Sequence, residues 1–209
     1  MAFTRNVLIS VLLAFIFPHT ASAVSDPFYD SFGSWGQSFD DLWGLKNMNM
    51  EDAWELATGK DVLVAVIDSG IDNTHPDIDD GLWVNDAELN GEPGVDDDGN
   101  GFIDDIQGWD LVSGDNAPGD PLGYGTHISG IIAAEADGEG TIGVAYGAKL
   151  LSVRAVDDGG NYLYSNVAPY LFSIASTRGK SALNIRPGLI KTRDRYSAAK
   201  GGLSPVIRS

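Results

Sequence analysis

The pattern of apolar and polar positions predicts strands and helices that alternate along the middle of the chain. Six consecutive apolar residues, mostly β-branched, occupy 62–67 and precede Asp68-Ser69-Gly70, which is typical of a strand buried on both faces of a parallel sheet. Further strands are predicted at 106–112, 149–156 and 181–185, and helices at 50–57, 126–136 and 165–176. Segments 26–52 and 72–101 lack clear periodicity and are predicted to be an extended arm and an acidic loop. Strands that alternate with helices predict an α/β fold with a partial doubly wound parallel sheet.

The first 23 residues have the pattern of a secretory signal peptide. Arg5 precedes an apolar run, Val7–Phe17, and Ala21-Ser22-Ala23 is a small-x-small cleavage site. An uncleaved anchor is the alternative, but the run is much shorter than the roughly 20 residues that span a bilayer. We therefore expect a secreted chain, extracellular or periplasmic, that begins near Val24 and is not held in a membrane.

Charge and composition narrow the classes of partner. The net charge of −17 argues against binding to nucleic acid or to anionic membrane surfaces. There is no cysteine. A secreted domain of this size can fold without disulfides, and bound calcium is a common substitute for them. Residues 159–209 carry eight basic side chains and one acid, against 5 basic and 29 acidic side chains in 1–158. This break is either a solvated basic tail or the mark of a chain whose normal continuation is lost.

The motif with the most chemical content follows the first predicted strand. Residues 64–72 read Val-Ala-Val-Ile-Asp-Ser-Gly-Ile-Asp and are followed by His75-Pro76-Asp77-Ile78. A carboxylate at the carboxyl end of a buried parallel strand lies where open α/β sheets place their ligands, although a lone Asp there is more often a turn or cap residue. The stretch resembles the catalytic-aspartate motif of the subtilase family, the subtilisin-like serine endopeptidases. The resemblance continues through 83–85, 108–110, 123–134 and 151–155, in the order of the family.

The resemblance implies a catalytic triad in which Asp68 is the aspartate that orients the base. The family's segment reads His-Gly-Thr-His and its first His is the base, whereas here Tyr124 occupies that position. His127 matches the second His, which is not the base. A phenol has a pKa of about 10 and stays protonated at neutral pH, so tyrosine is a poor general base.

The other parts of the machinery that the resemblance implies are weak or missing in these 209 residues. The sequence contains no Gly-Thr-Ser-Met-Ala-like motif, which in the family carries the nucleophilic serine. Residues 181–188 resemble the strand that pairs with substrate backbone, with Gly188 as a substrate-binding residue, although a plain core strand fits them about as well. We divide the chain into a signal peptide (1–23), a partial subtilisin-like domain (24–188) and a disordered tail (189–209).

The acidic loop predicts a calcium site. Asp96, Asp98, Asn100 and Asp104 place oxygen ligands at positions 1, 3, 5 and 9 of an EF-hand-type loop, and Phe102 would contribute its carbonyl at position 7. Position 12 is Gln107, so the usual bidentate Glu is missing. The alternative is an Asp/Gly turn on an acidic surface. Asp77 matches a separate calcium-ligand aspartate of some subtilases, as the resemblance implies.

Three functional interpretations remain open for the chain. It is a truncated product of a peptidase gene, a non-catalytic homologue that binds peptide or calcium, or half of a split enzyme that another chain completes. The first is favoured, because the unmatched basic tail and the short distance from signal to domain both fit truncation. The resemblance implies protein or peptide substrates, and an uncovered sheet edge predicts non-specific self-association.

Overall fold

The structure is a computed structural model, and it describes residues 26–163 and 165–177 together with the strand at 183–184. The helices within these residues are α1 Pro27–Asp30, α2 Trp43–Asn47, α3 Met50–Leu56, α4 Asp86–Leu89, α5 Tyr124–Ala133 and α6 Val167–Thr177. The strands are β1 Leu63–Asp68, β2 Gly108–Asp110, β3 Lys149–Arg154 and β4 Leu183–Asn184.

The four strands form one parallel sheet in the order β2-β3-β1-β4. The central pair has Leu63 opposite Lys149 and Asp68 opposite Arg154, so β1 and β3 end at the same level. β2 joins the other side of β3, with Asp110 opposite Arg154. Three charged side chains therefore share the carboxyl edge of the sheet, and Arg154 binds Asp110 at 2.6 Å.

Helices cover both faces of the sheet, as the continuous apolar run predicted. On one face, Leu63, Ala65, Leu151 and Val153 pack with α6 residues. On the other, Val66 and Leu150 pack with α5 and the segment around Ile78. Successive residues of a strand point to opposite faces, so a central strand between two helical layers has to be apolar at nearly every position. The α/β, doubly wound prediction is confirmed for the described residues.

Several predicted boundaries need correction. The arm at 26–52 is not simply extended, because α1 and α2 lie within it and pack through Tyr29 and Leu45 with Trp54 and Ile142. The predicted strand at 106–112 shortens to the three residues of β2. Helix α5 begins two residues before the predicted start, at Tyr124, because the Gly123 backbone adopts φ 82° and an upstream aspartate accepts the free amide hydrogens.

Candidate functional site

The site is built at the carboxyl end of β1. Asp68 is the last residue of that strand and its side chain is largely buried, with 9% exposure. Its Oδ1 atom accepts a hydrogen bond from the Ser69 amide at 2.8 Å, and its carbonyl accepts one from Ala155 at 2.7 Å. The aspartate is therefore held by the backbone around it, at the sheet edge where the sequence predicted it.

The first turn of α5 lies directly against this aspartate. Gly125 is buried, and a Cβ atom built on it would lie 3.3 Å from the Asp68 Cβ and 1.9 Å from the Gly70 carbonyl oxygen. Such contact is open only to glycine. Tyr124, the preceding residue, begins the helix beside Asp68, and its side chain is 65% exposed.

An aspartate that the sequence did not single out joins the two elements. Asp120 accepts hydrogen bonds from Ser69 Oγ at 2.7 Å and from both the amide and the hydroxyl of Thr126, at 2.8 and 2.7 Å. The sequence carried no signal for this role, since Asp120 lies three residues before the N-cap Gly123 and its partner Ser69 is 51 positions earlier.

His127 lies three residues after Tyr124 in α5. It is exposed and lines a cleft of about 800 Å³ together with His75, Trp35 and Ile131. Neither Asp68 nor Tyr124 is among the residues that line this cleft. The two histidines of the described residues thus belong to a neighbouring surface rather than to the aspartate.

Side-chain oxygens of the acidic loop accept hydrogen bonds from nearby backbone amides. Asp96 accepts hydrogen bonds from the amides of Asn100 and Gly101, at 3.0 and 2.8 Å, and Asn100 Oδ1 accepts one from the Phe102 amide at 2.7 Å. Asp104 has φ 54°, and its Oδ2 accepts a hydrogen bond from the Gly94 amide at 2.8 Å.

Three other carboxylates converge behind this loop. Glu88 of α4, Asp98 and Asp105 each place an oxygen within 4.8 Å of the others, and Glu88 and Asp105 are 3% and 0% exposed. Burial raises the pKa of Asp105 to about 6, against hydrogen bonds from Asn85 and Asn100 that lower it. Sequence reasoning included Asp98 but not Glu88 or Asp105. Gln107, at position 12, accepts a hydrogen bond from Asn73 instead.

A second acidic region is formed by Asp26 and Asp77 where they contact segment 138–141. The Oδ2 atom of Asp77 accepts hydrogen bonds from the amide and the hydroxyl of Thr141, at 3.1 and 2.8 Å. Asp26, which is 1% exposed, accepts a bond from the Gly138 amide at 3.2 Å. Among the described residues, the other oxygen of each carboxylate is buried without a hydrogen-bond partner. Burial, together with the charge of Asp137, raises the pKa of Asp26, while backbone hydrogen bonds lower it.

Some predictions fall outside the described residues. Gly188, the signal peptide at 1–23 and the tail at 189–209 are among them. The predicted strand at 181–185 is represented by β4, whose backbone pairs in parallel with β1. No helix in the described part of the chain is both long and apolar enough to cross a membrane.

A family model described as the subtilase family matches residues 59–176, which include β1, the acidic loop, α5, β3 and most of α6. This chain belongs to the subtilase family. The resemblance inferred from the Asp68 motif is confirmed.

The chain is also similar to several proteins with known names. The chain is 44% identical over 120 residues to subtilisin-like protease 1 of Plasmodium berghei, an alignment that covers 56% of this chain and 20% of that protein. It is 34% identical over 127 residues to fervidolysin of Fervidobacterium pennivorans, covering 58% of this chain and 16% of that protein. The crystal structure of fervidolysin, described as a keratinolytic enzyme related to subtilisin, gives a TM-score of 0.46 at 29% identity, covering 67% of this chain and 19% of that one. This subtilase thus spans about a fifth of the length of these relatives.

Proposed function

We propose that this chain is a secreted member of an endopeptidase family and that the chain by itself does not hydrolyse peptide bonds. The proposal is supported by Tyr124, which begins α5 beside Asp68 and, by its motif, matches the position of the family's base. A general base has to accept a proton from the nucleophile at about 3 Å, and a protonated phenol has no such capacity at neutral pH.

His127 does not replace the missing base. It stands three residues after Tyr124 in the same helix, which is about 60° around the axis and about 4.5 Å along it. The expected size of the loss follows from subtilisin itself, in which removal of the base alone lowers turnover by a factor of about 10⁶. The retained family features, above all Asp68 and the surrounding sheet edge, support protein or peptide ligands as the class of molecule bound.

The test is an endopeptidase assay on casein and on chromogenic peptides with the purified chain and with Asp68→Ala. We expect no turnover from either protein above a buffer control. Turnover that disappears in Asp68→Ala would overturn the proposal, because it would require another base. Turnover that persists in Asp68→Ala identifies a contaminant.

A Tyr124→His variant tests the geometry without relying on activity. An imidazole that reaches Asp68 would gain a hydrogen-bonded counter-charge, which raises the pKa of a histidine by about one unit or more. Proton NMR titration of the ring signals would report this, with His75 and His127 as internal references and Tyr124→His/Asp68→Asn as the control. An unshifted residue-124 pKa would contradict the assignment of Tyr124 to the base position.

A second candidate function is calcium binding by the two acidic regions. The buried, unpartnered oxygens of Asp26 and Asp77 support it, because a buried carboxylate oxygen without a donor is costly unless a cation or water satisfies it. The oxygens of Glu88, Asp98 and Asp105 offer a second set of hard ligands of the kind calcium prefers. Asp96, Asn100, Phe102 and Asp104 remain the ligands that the loop pattern predicts.

The experiment is isothermal titration with calcium after treatment with chelator. We expect binding that weakens in Asp77→Asn and, separately, in Asp98→Asn, since each variant removes charge from one region. Asp157→Asn is the matched control, because Asp157 is a half-buried aspartate that accepts hydrogen bonds from its own loop. Heat signals that are identical in all four proteins, or absent from the parent chain, would remove calcium from the proposal.

A further inference from the structure

Asp120 collects an unusual number of donors for a single carboxylate at the start of α5. Oδ1 accepts hydrogen bonds from Ser69 Oγ, Leu122 N and Gly123 N, at 2.7, 3.1 and 2.8 Å. Oδ2 accepts both bonds from Thr126, at 2.8 and 2.7 Å. Every group that faces this carboxylate is a donor, so only an ionised acid satisfies all of them.

The donors come from both elements of the candidate site. Ser69 follows Asp68 directly, and its hydroxyl also accepts a hydrogen bond from the Gly125 amide at 3.1 Å. Thr126 Oγ1 accepts a bond from the Asp72 amide at 2.9 Å while it donates to Asp120. The turn after β1 is therefore joined to the first turn of α5 at two points, one on each side of Asp120.

Backbone contacts at the same place leave little freedom for adjustment. Gly70 has φ 110°, and a Cβ there would lie 2.2 Å from the Gly119 carbonyl oxygen, immediately before Asp120. The Ile71 amide donates to the Pro118 carbonyl at 3.1 Å. These backbone contacts fix the distance between the turn after β1 and the segment before α5. The orientation of α5 relative to that turn is then set by the polar groups that join them.

We propose that Asp120 is a positioning residue, which, through Ser69 and Thr126, sets the place of residue 124 relative to Asp68. The proposal rests on the proposed assignment of Tyr124 to the base position. An ordinary helix cap would stabilise α5 without deciding where its first side chain stands, whereas Asp120 also binds the residue that follows Asp68. Although burial raises the pKa of Asp120, hydrogen bonds from Ser69 and Thr126 hold that pKa below its ordinary value, which keeps the carboxylate ionised near neutral pH.

The experiment measures the pKa at position 124, and the Thr126 variants described next, which keep the Asp120 charge, separate position from the direct loss of that charge. In the full chain carrying Tyr124→His, the pKa of the new imidazole is determined by NMR titration, with and without Asp120→Asn. Asparagine keeps the size of the side chain but turns an NH₂ group toward donors. We expect a pKa raised by about one unit by Asp68 to fall back toward the ordinary value of about 6.5 in the Asp120→Asn variant. Asp157→Asn removes a carboxylate that binds amides of its own loop, and it should leave the residue-124 pKa unchanged.

A second pair of variants covers the case in which Asp120→Asn does not fold. Thr126→Val removes the hydroxyl that bridges Asp72 and Asp120 at nearly constant shape, and Thr126→Ser retains it. We expect the residue-124 pKa to fall in the valine variant and to be restored in the serine variant. Equal pKa values in the Val and Ser variants would overturn the positioning role.

The outcomes also separate this inference from the proposed function. A residue-124 pKa that is insensitive to Asp68→Asn means that position 124 does not face the aspartate, and the proposed function fails. A pKa that responds to Asp68→Asn but not to Asp120→Asn or Thr126→Val leaves the proposed function standing and rejects Asp120 as its positioning residue.

Discussion

The junction between β1 and α5 and the acidic region of Asp26, Asp77 and segment 138–141 are both built on buried or half-buried aspartates, but their charges are satisfied differently. At the junction, Asp120 accepts hydrogen bonds from five protein donors. In the acidic region, Asp26 and Asp77 each have one oxygen with donors and one buried oxygen with none in the described residues.

The difference shows where each region obtains its stability. A carboxylate surrounded by amides and hydroxyls is stable from protein groups alone, because those donors replace the water it lost. A carboxylate with a buried bare oxygen depends on a further partner, a cation or a water molecule. We therefore expect the junction to be insensitive to solution cations and the acidic regions to depend on them.

The largest expected effect is that of calcium on thermal stability. A ligand bound only by the folded state adds about 2.7 kcal/mol at a hundredfold excess over Kd. We expect calcium to raise Tm relative to chelator, and the shift to disappear when Asp77→Asn and Asp98→Asn are combined.

Hydrogen exchange measures the effect of calcium separately in the acidic regions and at the junction. In chelator, amides of 96–105 and 138–141 should exchange faster, while those of β1 and α5 should change little. A uniform loss of protection across all four segments would show that the junction also depends on the cation, and the contrast between the regions would then be lost.

The next effect is steric and acts on the junction. Gly125→Ala would place a methyl group 1.9 Å from the Gly70 carbonyl oxygen, and overpacking of this kind costs about 1–3 kcal/mol. Gly130 is the matched control in the same helix, because a Cβ there meets nothing within 4 Å. Gly130→Ala should stabilise the chain by about 1 kcal/mol through helix propensity. Chemical denaturation measures both, and equal effects of the two changes would contradict the close contact of α5 with the turn.

A pH effect of smaller size is expected at Asp105. Its pKa is raised to about 6 by burial, above about 3.9 in an unfolded chain, so the folded state binds more protons between these values. Without calcium, the contribution of Asp105 to the free energy of unfolding therefore decreases as the pH rises from about 4 through 6. Acidification from pH 7 to 5 should stabilise the parent chain relative to Asp105→Asn.

Added calcium should reverse that dependence, because the cation requires the ionised carboxylate. The calcium-induced rise in Tm is then smaller at pH 5 than at pH 7 in the parent chain. Parallel stability curves for the parent and Asp105→Asn in chelator would show that Asp105 is not the group that titrates.

The smallest effect separates a carboxylate with tertiary partners from one with only local ones. Asp120→Asn should cost about 1 kcal/mol, because asparagine turns an NH₂ group toward donors that the carboxylate oxygen had accepted. Asp157→Asn should stay within about 0.5 kcal/mol, since the side chain of Asp157 accepts hydrogen bonds only from Gly159 and Asn161 of its own turn. Urea unfolding of both variants against the parent chain measures the difference. An equal cost would mean that Asp120 acts only as a local cap.

Much of the fold was predictable because burial leaves a strong pattern in a central strand. The apolar run at 62–67 predicted β1 to within one residue at each end, and the family motif placed Asp68 at its end. The weaker elements were less predictable. β2 is only three residues long and too short for a period, and α1 lies in a segment rich in aromatic residues and glycine.

The candidate site divides in the same way. Asp68 and Tyr124 could be found from the sequence because they lie in contiguous motifs. Glu88 and Asp105 could not be joined to Asp98 from spacing, since the loop pattern assigns ligands by position along the chain while the structure brings α4 and the loop together in space. Asp120 was missed because its role depends on Ser69, which lies 51 positions earlier.

The sequence by itself determined the family and the central strand, and its motif led to the proposal that Tyr124 stands in place of the base histidine, because each of these depends on consecutive residues. Only the tertiary structure decided which carboxylates are satisfied by donors and which are left with a bare oxygen. Burial and hydrogen bonding depend on which segments meet across the fold. For a chain with 30 acidic residues, that assignment is what distinguishes a structural carboxylate from a candidate ligand.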